Sequence, residues 1–348
     1  MIWRRFMIGC LLTVTLVGCG GCSPLYILEG AVVQGRILLS REPLVRVLND
    51  PTLKPTARLK LELLMEARTF AAEALDLDVG DAYGSYAEVP DGALVWVVSA
   101  ARQTRLESYS WWFPIVGTVT YKGFFDRGDA DELAASLQAD GWDTYVRPSG
   151  AFSTLGWFDD PVLSNWLRRD DVALVDLLFH ELIHRSFYRA GYTDFNESFA
   201  SWAGRAAAYE FFLEREGLEA ANTKLARERL EASFTGSVQW GKRIDALRDF
   251  YRRAAMGKWP LERILVDRQE FFRAFGDPQR VNNAVILARW AYRKDLGDFR
   301  CAREHSGQEL AVAIAQTWER SLSSKDPFAA IGCQGVSGQA EGDPSGRS

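Results

Sequence analysis

His180-Glu181-Leu182-Ile183-His184 holds two of the three histidines in a chain of 348 residues and sets them four positions apart around a glutamate. On a helix that interval puts both imidazoles on one face, one turn apart, where they can grip a single zinc ion while Glu181 faces the metal's open position. The flanking residues supply the helix. Asp170-Asp171 offers a cap and negative charge at a helix start, and Val172, Leu174, Val175, Leu178, Leu182 and Ile183 recur at helical spacing. The spacing predicts one buried helix from about Val172 to Ala190, stopped by Gly191. A satisfied core histidine is the plain alternative for either imidazole, but three ionisable groups in so apolar a helix favour metal binding.

Catalytic zinc takes three protein ligands and keeps a fourth position for water. Glu197, in Asn196-Glu197-Ser198-Phe199-Ala200, stands thirteen positions after His184 and opens a second helical pattern whose apolar face is Phe199, Trp202, Ala203, Ala206 and Ala207. A glutamate in the first turn of that helix, pressed against the first, would project its carboxylate at the ion. Glu197 is therefore the expected third ligand, against the alternative of a solvated glutamate serving the helix dipole. Glu210 is a weaker candidate, farther along among other charges. The loop 189–194 is short enough to fold the two helices back on each other. Asp194 and Ser201 are candidates to hydrogen-bond a ligand histidine, with ordinary capping and helix-face roles standing beside that reading.

With these residues the chain resembles a gluzincin, the zinc-peptidase group with two histidines from a His-Glu-x-x-His helix and a glutamate from a following helix. More narrowly it resembles the bacterial family of predicted aminopeptidases, many of them lipoproteins. The matching blocks are the two above, Ser153-Thr154-Leu155-Gly156-Trp157-Phe158-Asp159-Asp160-Pro161, Pro114-Ile115-Val116-Gly117 with Tyr121-Lys122-Gly123-Phe124-Phe125, and Gln34-Gly35-Arg36 with Leu38-Leu39. The resemblance implies the zinc-ligand set His180, His184 and Glu197, one Zn2+ per chain, and a peptidase acting on peptides or polypeptides. The interval from His184 to Glu197 is shorter than in thermolysin-like and large aminopeptidase gluzincins, so their exopeptidase machinery does not transfer.

A composition of 47% apolar and 25% charged residues suffices for a substantial core. Arg4 and Arg5 precede an apolar run from Phe6 to Val17, and Leu16-Val17-Gly18-Cys19 fits a lipoprotein processing site. The expectation is a signal peptide over 1–18, a lipidated Cys19 and, with Gly20 following it, an outer-membrane anchor facing the periplasm. A plain secretory peptide or a short membrane anchor is the alternative, although a span normally needs about 20 apolar residues. Removing 1–18 leaves 39 Lys and Arg against 46 Asp and Glu, which is no nucleic-acid footprint. In an oxidising compartment Cys301 and Cys333 could pair, leaving Cys22 as the odd thiol.

The expected architecture is α+β and predominantly helical, zincin-like, with a small sheet before the metal-binding helix. Residues 19–331 form the peptidase domain and 332–348 a Gly- and Ser-rich disordered tail. Helices are expected over Ala57–Leu75 and Asp129–Asp140, strands over Leu94–Ser99 and Thr144–Arg147, and a loop-rich aromatic region through Trp111-Trp112-Phe113-Pro114. Ser153, Thr154, Leu155 and Gly156 are candidates for a strand edge that pairs with extended substrate, or for an ordinary core strand and turn. Asp159-Asp160 could accept a substrate amine or cap a helix before Pro161. Tyr188, Tyr192 and Lys122 are candidates for transition-state stabilisation. His305 reads as structural.

The expected chemistry is hydrolysis of a peptide bond, with Glu181 as the base for a zinc-activated water. Two rivals stand beside an aminopeptidase: a zinc endopeptidase of periplasmic polypeptides, and a non-catalytic lipid-anchored zinc-binding protein. A structural zinc site is normally closed by four ligands, and no adjacent fourth histidine or cysteine closes this one.

Overall fold

The computed structural model describes residues 35, 37–90, 95–113, 117–149, 159–306 and 308–332. The expected signal peptide, Cys19, the substrate edge Ser153-Thr154-Leu155-Gly156 and the tail beyond 332 lie outside the described residues.

The chain opens with β1 (Glu42–Pro43), α1 (Leu44–Leu48) and α2 (Pro55–Glu73), then β2 (Ser85–Ala87). The strands β3 (Val95–Arg102), β4 (Trp111–Phe113), β5 (Gly117–Val119) and β6 (Tyr121–Phe124) lead into α3 (Arg127–Ala139) and β7 (Trp142–Ser149). After β8 (Val162–Leu163) and a 3-10 turn at Ser164–Arg168, the chain is helical: α4 (Asp171–Ser186), α5 (Thr193–Glu216), α6 (Ala221–Met256), α7 (Leu261–Phe272), α8 (Asn283–Trp290), α9 (Leu296–Ser306), α10 (Leu310–Leu322) and α11 (Pro327–Ile331). The fold is α+β and predominantly helical, as the sequence pattern predicts. Among the described residues no helix is long and apolar enough to cross a membrane.

The central pair is α4 against α5. Leu174, Val175, Leu178, Phe179, Leu182 and Ile183 are fully buried on α4, as are Phe199, Ala203, Ala206 and Ala207 on α5. Each large side chain so buried contributes roughly 1.5–3 kcal/mol, enough to offset the cost of placing ionisable groups between the helices. At 36 residues, α6 is long enough to serve two cores. Its first half packs Ala226, Leu230 and Phe234 into the α4–α5 core, and its second half packs Ile244, Leu247 and Phe250 with Ile286 and Trp290 of α8.

The sheet β6-β3-β7 is antiparallel and lies between α3 and α8. Val98 meets Ala130 and Ala134 of α3 on one face. On the other, a buried polar seam joins sheet to helices. Asp143 of β7 accepts two hydrogen bonds from the Arg268 guanidinium, at 2.7 and 2.9 Å, and a third from the Asn283 amide N–H at 3.1 Å. Asn283 in turn donates to the Arg102 carbonyl at 2.8 Å and accepts from the Tyr251 hydroxyl at 2.9 Å.

Two boundaries differ from the sequence reading. The helix expected to run to Ala190 ends at Ser186, because Phe187 turns extended (φ −139°, ψ 100°) to set its ring against Phe199 and Trp318. Its start is as expected, with the Asp170 carboxylate accepting from the Ala173 N–H at 2.9 Å. The aromatic region around Trp111 forms an antiparallel ribbon, β4 with β5, rather than a loop. Burial of Trp111 with Ala100, Val119 and Leu137 supplies the packing that a local reading of Trp-Trp-Phe-Pro does not show.

Candidate metal centre and its cleft

The α4 and α5 helices bring His180, His184 and Glu197 together. His180 Nε2 and His184 Nε2 lie 3.0 Å apart, and Glu197 Oε2 lies 3.4 and 3.5 Å from them. Four-coordinate zinc with bonds of about 2.0–2.2 Å has ligand-to-ligand edges of about 3.3–3.6 Å, so the triangle fits such an ion with a slightly short His–His edge. Among the described residues this is the one cluster of three His, Cys, Asp or Glu side chains whose donor atoms gather so closely.

Burial makes the cluster expensive without a cation. His184, Glu197 and Glu181 are only 5%, 7% and 7% exposed, and Glu197 Oε2 and His184 Nδ1 have no hydrogen-bond partner. A carboxylate oxygen sequestered in this way costs several kcal/mol unless something cationic satisfies it. Burial pushes the Glu197 carboxyl up, but the His184 and His180 rings outweigh it and hold the group well below the usual carboxylate range. For His180 burial lowers the imidazole, yet Glu197, Glu181 and Asp176 together raise it above its ordinary value.

Four devices aim these side chains. Asn196 clamps the interhelical turn, its Oδ1 accepting from the Arg189 N–H at 3.1 Å and its Nδ2 donating to the Arg189 carbonyl at 2.8 Å. The Arg189 side chain reaches the carbonyls of Ser321 and Ser324, anchoring that turn to the far end of α10. Gly204 then lets α5 approach α4 closely: a Cβ there would stand 3.0 Å from the His180 main-chain nitrogen and 3.3 Å from the Asp176 carbonyl oxygen. Ser198, next to Glu197, donates from Oγ to the Ala291 carbonyl at 2.7 Å.

That last bond leads to Tyr292, whose ring stacks over His180 at 6.1 Å between centroids. Tyr292 also accepts a hydrogen bond from Arg147 Nη2 at 3.4 Å. The register Ser99↔Tyr121 and Val97↔Arg147 puts Tyr121 of β6 and Arg147 of β7 on the same sheet face. With Tyr292, Thr193 and Glu197 they line a narrow cleft of about 20 Å³, room for one ordered water. Burial, reinforced by Glu197, raises the phenols of Tyr121, Tyr188 and Tyr292 above their ordinary value. They remain hydroxyl donors at neutral pH.

The other candidates named from sequence fall in varied places. Glu181 is buried beside His180, and its charge is felt at Tyr121, Tyr292 and Arg169. Asp194 lies 4.0 Å from Lys294 Nζ, and Ser201 is buried with its carbonyl accepting from Arg205. Asp159 pairs with Arg185 at 3.2 Å, and Glu210 pairs with Arg303. Tyr192 lies under the Arg189 guanidinium at 3.7 Å. Lys122 pairs with Val98 on the sheet face turned to α3, away from the cleft. Cys301 is disulfide-bonded, while Cys333, its expected partner, lies outside the described residues.

The sequence reading assigns no site role to Tyr121, Arg147, Tyr292, Asp176, Asn196 or Gly204. For two of them a local signal existed. Asp176 lies one helical turn before His180, and a glycine within an alanine-rich helix marks a close approach.

A family model described as "Putative aminopeptidase" matches residues 25–326. The chain belongs to that family. Both walls of the cleft and all three potential ligands fall within the matched span. Family membership implies a peptidase and a peptide substrate. Among curated proteins and among solved structures, none matches the chain.

Proposed function

We propose that the chain is a zinc-dependent peptidase of gluzincin type, acting as an aminopeptidase, with His180, His184 and Glu197 holding the ion. The observation that carries this reading is the triangle of potential ligand atoms, with edges of 3.0, 3.4 and 3.5 Å, one corner of which is a carboxylate oxygen that has no hydrogen-bond partner. When bound, zinc supplies Lewis acidity toward the attacking water and the scissile carbonyl.

The remaining work falls to this chain's own side chains. Glu181 follows a ligand directly in sequence and takes the proton from the attacking water, then delivers it to the departing amine nitrogen. Tyr292 and Tyr121, kept protonated by burial, offer hydroxyl donors for the carbonyl oxygen as it gains charge. Glu197 stays anionic and holds the ion. The two glutamates are thus not interchangeable.

The test is a pair of substitutions followed by metal analysis and peptide hydrolysis. Glu181→Gln retains zinc and loses roughly 10²–10⁴-fold in turnover, the usual scale for a general base. Glu197→Gln lowers zinc stoichiometry. Equal zinc loss in both variants refutes the assignment. Preference for free-amine peptides over N-acetylated ones identifies an aminopeptidase; equal cleavage of both identifies an endopeptidase.

A further inference from the structure

Arg147 contrasts with several arginines of the interior that are held by carboxylates. Arg268 is matched to Asp143, Arg303 to Glu210, Arg205 to Asp176 and Arg185 to Asp159. Arg147 has no carboxylate within 4.0 Å among the described residues, and its one hydrogen bond is the donation from Nη2 to the Tyr292 hydroxyl at 3.4 Å. A guanidinium carries five N–H donors in a planar fork, a shape that matches a carboxylate bidentately. Most of that fork is uncommitted.

Its position gives the uncommitted donors a use. Arg147 lines the same cleft as Glu197, with Tyr121 and Tyr292 beside it and the hydroxyls of Ser99, Ser108 and Thr120 around it. The volume of about 20 Å³ is room for one ordered water, whose place a carboxylate oxygen entering beside Arg147 would take. A divalent ion held by one carboxylate and two neutral imidazoles keeps one net positive charge, which the buried Glu181 carboxylate offsets, so that Arg147 leaves the cleft one positive charge at its other wall. The sheet register, not local flexibility, fixes Arg147 there, since Val97 is its cross-strand partner.

We infer that Arg147 is the anchor for a substrate carboxylate, so that this site takes peptides bearing an acidic side chain or a free C-terminal carboxylate close to the scissile bond. The inference rests on the peptidase reading above and adds the substrate class. Tyr292 shares the task by holding one Arg147 N–H, leaving the rest of the fork facing the cleft.

Binding to the full chain carrying Glu181→Gln, loaded with zinc, tests it without turnover. The probes are tripeptide pairs titrated calorimetrically: free carboxylate against amide at the C-terminus, and Glu against Gln at the first and second positions of an amidated peptide. One pair is expected to differ tenfold or more in Kd, and which pair does so tells a C-terminal from a side-chain carboxylate. Adding Arg147→Met should shrink that difference below twofold at unchanged zinc stoichiometry. Arg147→Lys, which keeps the charge but not the fork, should retain part of it and serves if the methionine variant folds poorly. The inference is overturned if every pair binds alike, or if a zinc-loaded Arg147→Met protein discriminates as its parent does. Failure of the peptidase reading shows separately, as absence of zinc or of hydrolysis in the unsubstituted chain.

Discussion

Ser198 Oγ donates a 2.7 Å hydrogen bond to the main-chain carbonyl of Ala291, so the residue following the potential ligand Glu197 holds the residue preceding Tyr292. The α4–α5 pair and the far wall of the cleft are thereby tied at one buried point. Ser198 is fully buried, so its removal leaves an acceptor without a partner.

Ser198→Ala should destabilise the protein by about 1–3 kcal/mol, the cost of an unsatisfied buried carbonyl. Because the freed segment carries Tyr292, turnover should fall further than stability alone explains, with zinc content unchanged. Thermal unfolding, zinc analysis and kcat measured together check this; loss of stability with undiminished kcat would separate Tyr292 from the chemistry.

Gly204→Ala is a substitution whose sign local propensity gets wrong. In an exposed helix interior it would gain about 1 kcal/mol. Here the new methyl meets the His180 main-chain nitrogen at 3.0 Å, and the rigid helix backbone cannot yield as a side-chain tip would. We expect a net loss of roughly 1–3 kcal/mol, the range for overpacking, together with weaker zinc binding as α4 and α5 are forced apart. A higher melting temperature with unchanged zinc affinity would show that the contact is slack.

Zinc and protons should compete at His180. Glu197, Glu181 and Asp176 raise its imidazole above the ordinary 6.5 despite burial, so protonation of the metal-free site begins above that pH. Zinc affinity should therefore decline with acidification from neutral pH, measured by chelator competition between pH 8 and 5.5. The metal-free protein should behave oppositely. A raised folded-state value contributes stability that is fully present below 6.5 and is lost as pH rises from there through the raised value. The Glu197 contribution, from a depressed carboxyl, is present throughout this window and fades only in strong acid. His180→Gln should abolish the metal-free pH trend; its persistence would place the titrating group elsewhere.

How much of this was legible in the sequence follows from range. Spacing along one helix exposes His180, Glu181 and His184 as a set, and the apolar face beginning at Phe199 marks Glu197 as opening the neighbouring helix. The α4 terminus was misplaced because its end depends on Phe187 meeting Trp318, a residue far along the chain. The meeting of Arg147 and Tyr121 is hidden from the sequence for a similar reason. Only the pairing of β3 with both neighbours puts them on one face, and nothing in either strand's own pattern names the register. Asn196 stood in the quoted block, but its clamp on Arg189 depends on a turn conformation that composition does not specify.

The long helix α6 packs its first half with the α4–α5 pair, which carries His180, His184 and Glu197, and its second half with the helices that carry the sheet. On the proposed function, ion retention and substrate discrimination would draw on separate packing units that share one strut. Substitutions in β7 or around α8 can retune what the site accepts while leaving the α4–α5 scaffold intact, whereas a change in α4 or α5 endangers every activity at once. Divergence in substrate preference within such a lineage should concentrate on the sheet side of the cleft.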